Sequence, residues 1–185
     1  AIVPKLEVHS LKLGKHQEQI AAVNIANGSI SLWNPNANNN VSEIAVNDGM
    51  LYAAGEFARI GGQHRNRIAA LSDFTGLAAT LNPGANDRVT SIYFIKNLAY
   101  INEKFTMPGG NSCNGLAAYD ITNGKATTWN PRIAGKRIST NNAMENLFVG
   151  GDFTGYYAQE SSHIAALDAV SVSMIEWGPD ISEKK

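Results

Sequence analysis

An all-β fold made of repeated antiparallel sheets is what this sequence predicts, on three observations. Apolar residues recur at a fixed interval: Ile20, Ile68, Leu116 and Ile164 are each 48 residues apart, and Phe57, Phe105 and Phe153 keep the same step. Turn chemistry recurs with them, at Asn34-Pro35, Asn82-Pro83, Asn130-Pro131 and Gly178-Pro179. Within one period, short apolar runs alternate with turn signals, and a 3.6-residue helical periodicity is absent. Four antiparallel strands in a unit of roughly 40–50 residues is the pattern of a β-propeller blade. A β-helix coil is shorter, and a sandwich does not repeat its own sequence every four strands. The reading is therefore a β-propeller of 48-residue blades, four of them present and the first incomplete, at about residues 1–38, 39–86, 87–135 and 136–185. Together they form one propeller domain or part of one.

The best copy is Val41 to Asn86. A first strand, Val41 to Val46, brings Ile44 and Val46 to one face with period two. Asp48-Gly49 suits a two-residue type I′ turn, because both residues tolerate positive φ. A second strand runs from Met50 to Phe57, followed by a longer connection, Ala58 to Asn66, that contains Gly61-Gly62. The third strand is Arg67 to Ser72, and Thr75-Gly76 makes the next tight turn. A fourth, Leu77 to Leu81, ends at Asn82-Pro83, where proline cannot donate to a ladder.

The third copy follows the same plan, with Val89 to Ile95, a Lys96-Asn97 turn, Ala99 to Phe105, Gly115 to Asp120 and Lys125 to Trp129. The fourth has a polar first strand near Ile138 to Ala143, then Leu147 to Phe153, His163 to Asp168 and Ser173 to Trp177. In the first copy, Glu7 and His9 stand where the interval expects a glycine and a phenylalanine. Paired alanines recur beside the third-strand apolar position, as at Ala69-Ala70 and Ala117-Ala118, and suggest close approach of neighbouring sheets.

The chain of 185 residues is 44% hydrophobic and 17% charged, with a formal charge of −1. That balance argues against nucleic acid or an anionic membrane as an electrostatic partner. No apolar run approaches the roughly 20 residues needed to span a bilayer. Cys113 is the only cysteine, so an internal disulfide or a thiolate metal cluster is excluded.

Chemistry is sought where the copies differ. Antiparallel alternation sends the tight turns of each blade to one face and the second-to-third loops to the other. Those loops, ARIGGQHRN, TMPGGNSCN and TGYYAQESS, diverge while the strands stay alike. Variable loops gathered on a rigid frame are a usual way to build a binding site. The candidate ligand contacts are Arg59, His64, Arg65, Asn111, Tyr156 and Tyr157. Arg59, His64, Arg65 and Arg67 make the densest basic cluster, suited to an oxyanion because guanidinium pairs planar oxygens bidentately. The plainer alternative is a set of solvated loop cations. Tyr156 and Tyr157 offer aromatic faces for a sugar. Asp120 and Asp168 share one register position and fit a structural turn role. Trp33, Trp129 and Trp177 also share a position, with Leu81 in the remaining copy, which suits space-filling between blades.

Gly150-Gly151-Asp152-Phe153-Thr154, Gly61-Gly62-Gln63, Arg65 to Leu71 and Trp33 to Asn38 resemble bacterial delta-60-type β-propeller repeats, which have relatives among fungal cell-surface proteins. The resemblance covers most of the chain from about Ile20 onward. It implies a propeller of the kind often found in large exported or surface proteins, and no activity common to the family. Ala166 to Asp168 also looks like the repeats of quinone-cofactor dehydrogenases, whose larger propellers carry cofactor residues with no counterpart placed here.

No triad spacing, H-E-x-x-H, phosphate loop or dinucleotide fingerprint is present, and Cys113 lies in an expected loop. The expectation is a non-enzymatic binding or scaffold module, extracellular or at a cell surface, with no cofactor and no metal site, that takes a protein or carbohydrate ligand. The alternative is a propeller enzyme, a glycoside hydrolase or quinone-dependent dehydrogenase, with its site in a central channel. Ile44, Val46, Ile92 and Phe94 in the first strands weigh against converging catalytic groups there. The remaining blades are expected from a longer chain or a second one.

Overall fold

The structure is a computed structural model and describes residues 6–9, 20–85, 87–106, 112–131, 133, 135–143, 146–153, 164–169, 171, 173 and 175. These residues form strands and turns, with no helix among them, and no helix is long and apolar enough to cross a membrane. The strands are β1 (Leu6–His9), β2 (Ala21–Asn24), β3 (Val41–Asn47), β4 (Met50–Gly55), β5 (Arg59–Ile60), β6 (Gln63–His64), β7 (Ile68–Ser72), β8 (Ser91–Ile95), β9 (Leu98–Thr106), β10 (Ser112–Asp120), β11 (Lys125–Ala126), β12 (Gly135–Ala143), β13 (Asn146–Phe153) and β14 (Ile164–Asp168). All pairings are antiparallel, in sheets β1-β2, β3-β4-β7, β8-β9-β10-β11 and β12-β13-β14, with β5-β6 as a separate small pair. Each main sheet follows chain order, as short turns between successive strands require.

Register repeats along with sequence. Tyr52 faces Ala70, Tyr100 faces Ala118 and Phe148 faces Ala166, each pair displaced by the same 48 residues. The outermost contact repeats too: Val23 bridges Ile30, Leu71 bridges Ala78, and Tyr119 pairs with Ala126. A one-residue slip would turn every side chain to the wrong face, so the shared register follows from the shared apolar pattern.

The first sheet departs from the interval. Glu7 lies opposite Val23, the place that Leu51 holds opposite Leu71. Glu7 and His9 therefore do not replace the glycine and phenylalanine of later copies, because β1 is shifted by four residues relative to β4. Pairing with β2 sets this register, and the count along the chain does not.

Fourth strands are shorter than expected. In place of a ladder over Leu77 to Leu81, one bridge at Ala78 is flanked by Ser72 N donating to Leu77 O and Ala79 N to Ala70 O, at 2.9 and 2.8 Å. Val46 is another departure. It stands exposed at the end of β3, while Ile44 packs on the core. Cys113 lies within β10 opposite Phe105, so the expected loop is strand at that point.

The chain divides into two compact units, Ala1–Gly84 and Ala85–Lys185. In the first, Ile20, Trp33, Leu51, Phe57, Ile60 and Leu71 belong to one buried cluster. Trp33 seats its ring there and donates its indole N–H to Ser72 O at 3.1 Å. In the second, Tyr100, Leu116, Trp129, Ile133, Leu147 and Leu167 cluster in the same way, with Tyr100 and Trp129 edge to face at 5.1 Å. The middle strands are buried along both faces, as in Leu51 to Gly55 and Ile68 to Leu71. Small residues suit that confinement: a Cβ on Gly55 would overlap Asn40 O.

Candidate functional site

The one second-to-third loop that is wholly described, Glu56 to Arg67, is itself structured. Phe57 and Ile60 are fully buried and pin its two ends into the core. Between Ile60 and Gln63, Gly61 and Gly62 take φ of 58° and 76°, so both central residues are left-handed, as a type I′ hairpin demands. The result is the β5–β6 hairpin, with Arg59 opposite His64 and Ile60 opposite Gln63.

The hairpin is held from both sides. Asn38 Oδ1 accepts from Ala58 N and Arg59 N at 2.9 and 2.8 Å, while Asn38 N donates to Arg59 O at 3.0 Å. Those two bonds identify the amide oxygen, and therefore place Nδ2 at the other arm of the side chain. Gly61 N donates to Pro35 O at 2.6 Å and Gly61 O accepts from Ala78 N at 3.0 Å. A Cβ on Gly61 would collide with the Ala78 backbone, so glycine is needed for space as well as for φ.

The basic cluster separates into two roles. Arg65 is turned inward, only 9% exposed, and donates from Nη1 to His64 O at 2.7 Å and from Nη2 to Ala79 O at 2.6 Å. It ties the hairpin to the outer strand segment. Its buried Nε has no hydrogen-bond partner. Arg59 and His64 are exposed, and Arg59 Nη1 approaches His64 Nε2 at 3.5 Å. Arg67 is half-buried at φ 67°, with its N–H donated to Phe57 O and its carbonyl accepting from Gly55 N. The structure thus brings Arg59, His64 and Arg65 onto one hairpin, with the first two outward. Asn111, Tyr156 and Tyr157 lie outside the described residues.

No protein-family model matches the chain, and no curated protein matches it. Among solved structures, it is similar to the computationally designed Ika8 protein, with a TM-score of 0.49 and 11% identity over 84% of this chain and 54% of the designed one. The chain therefore spans about half the length of that protein. A likeness that slight bears on no function.

Other polar groups have structural work to do. Asp120 accepts from Thr122 N and Thr122 Oγ1 at 2.8 and 2.6 Å on one oxygen, and from Asn123 Nδ2 at 2.7 Å on the other. The Thr122 bonds, foremost among these, hold its carboxyl below the usual carboxylate range. Asp168 accepts from Ser171 N and Oγ in the equivalent turn. These are turn-stabilising carboxylates. Among the described residues, no group of three His, Cys, Asp or Glu side chains is placed to hold a metal ion.

Asn38 is the contributor that sequence reasoning missed. Its signal was the Asx-rich run Asn34 to Asn40, since Asn side chains bond backbone N–H groups in irregular segments.

Proposed function

We propose that the chain is a β-propeller module in which the repeated four-stranded sheets are blades. It binds a protein or carbohydrate ligand through the non-repeating loops of one face and performs no chemistry on it. The observation that carries this reading is the contrast within one repeat. Strand register recurs every 48 residues, whereas Arg59 and His64 are matched one repeat later by Met107 and Ser112. Residues required by the frame recur, and these do not. The hairpin that displays them is nonetheless held by backbone bonds on both sides. Rigid presentation of non-structural side chains favours recognition, because little ordering remains to be done on binding. An exported or cell-surface protein of the delta-60-type repeat class is the setting that the sequence resemblance supports.

The test is capture on protein and glycan arrays, comparing the chain with two variants. R59Q/H64Q alters the hairpin, and D48A/T75A alters the tight turns at the other end of the sheet. Capture lost in the first variant and kept in the second is the expected result. Turnover of glycosides or esters by the purified chain would show an enzyme instead.

A further inference from the structure

We propose that the β5–β6 hairpin recognises the carboxylate of an acidic sugar, a uronate unit of a glycan, through Arg59, His64 and Asn38. This rests on the binding-module reading and names the ligand class for the same loop.

The pairing across the hairpin points to an anion. Directly opposed residues stabilise an antiparallel pair when their charges are opposite, and like charges oppose it. Here a guanidinium faces an imidazole at 3.5 Å, and neither bonds a carboxylate among the described residues. Arg65 adds a third basic group beneath them. Its charge is 91% buried and bonded to two carbonyls, whose dipoles satisfy N–H groups but supply no neutralising charge. Because Nη1 of Arg65 bonds the carbonyl of His64, that positive charge lies one peptide group from the exposed pair. An anion at Arg59 and His64 would gain from all three.

The donor set selects a carboxylate. Ionised carboxylate only accepts, and a guanidinium fork matches its two oxygens. Asn38 adds a donor: its Oδ1 is committed to Ala58 N and Arg59 N, which leaves Nδ2 beside the Arg59 backbone with no bond among the described residues. The rim selects a sugar. Asn39, Gln63 and Asn66 are exposed neighbours along the chain, and amides both donate and accept, as sugar hydroxyls do. An acidic peptide would be better met by further cations.

Titration of the 15N-labelled chain with sodium glucuronate, followed by amide chemical shifts, tests the inference. Glucose, sodium acetate, sodium phosphate and a hexaglutamate peptide serve as parallel arms. Saturable shifts at Asn38, Arg59 and His64 are expected with glucuronate, at a Kd of about 1–10 mM for a single unit. Acetate should bind about tenfold more weakly and glucose not at all, and R59Q or H64Q should each weaken glucuronate about tenfold by removing one charge-assisted donor. Retained dispersion of the β7 amides shows that each variant is folded. Absence of saturable shifts at these amides, an unchanged affinity in R59Q, or tighter binding of phosphate or hexaglutamate than of glucuronate overturns the proposal. An array ligand whose capture survives R59Q/H64Q also overturns it, and leaves the binding-module reading standing.

Discussion

Gly61 shows how much one residue can carry in this fold. It adopts φ 58°, and a Cβ would run into the Ala78 backbone, whereas Gly84 adopts φ 63° with nothing within 4 Å. Both substitutions to alanine carry the left-handed penalty, about 1 kcal/mol. Only G61A adds a backbone collision, so it should lose about 2–4 kcal/mol against about 1 for G84A, as measured by urea unfolding.

Tyr100 makes a pH-dependent prediction. Its hydroxyl donates to Ala169 O at 2.7 Å, and burial, followed by the negative charge of Asp168, pushes its pKa from the ordinary 10 up to about 12. A group whose folded pKa is raised gives stability that is complete below the unfolded pKa and lost as pH rises through the folded one. Stability should therefore fall between about pH 10 and 12. Y100F should flatten that fall, at a cost of about 1 kcal/mol at neutral pH for the unpaired carbonyl. Chemical denaturation across the alkaline range measures both.

At the scale of elements, the β5–β6 hairpin was legible only in part. Gly61-Gly62 between Arg-Ile and Gln-His is a hairpin signal, yet two-residue strands are too short to show periodicity. What makes them strands is the set of bonds to Pro35, Asn38 and Ala78 from distant stretches. The same contact explains the short fourth strand, because Ala78 N is committed to Gly61 O, at 3.0 Å, on the hairpin. Arg65 joins the two. R65M keeps most of the buried volume and removes both carbonyl bonds. It should cost about 2 kcal/mol and raise amide exchange at Arg59 and Gly61 ahead of β7. Equal protection in R65M and the unmodified chain would show that the guanidinium is not the tie.

Across the whole molecule, repeated positions mark what the fold requires. Leu71 is fully buried in the first unit, and its counterpart Tyr119 is buried in the second. L71A should lose about 3 kcal/mol through the cavity it leaves. Leu77 is exposed, and its counterparts are Lys125 and Ser173, so L77S should change stability by less than about 0.5 kcal/mol. Thermal unfolding of the two variants side by side checks the contrast.

The amino-acid sequence by itself determined the all-β character, the 48-residue period, the main strands and the tight turns at Asp48-Gly49 and Lys96-Asn97. These are local: alternation, turn residues and spacing are written along the chain. Tertiary structure decided the register of β1, the inward turn of Arg65 and the place of Asn38 beside Arg59. Each depends on bonds between residues far apart in sequence or on which side of a hairpin is covered, and neither is encoded in spacing. The basic cluster of residues 59–67 is a run of cations in the sequence. In the folded chain it is one buried tie and one exposed pair.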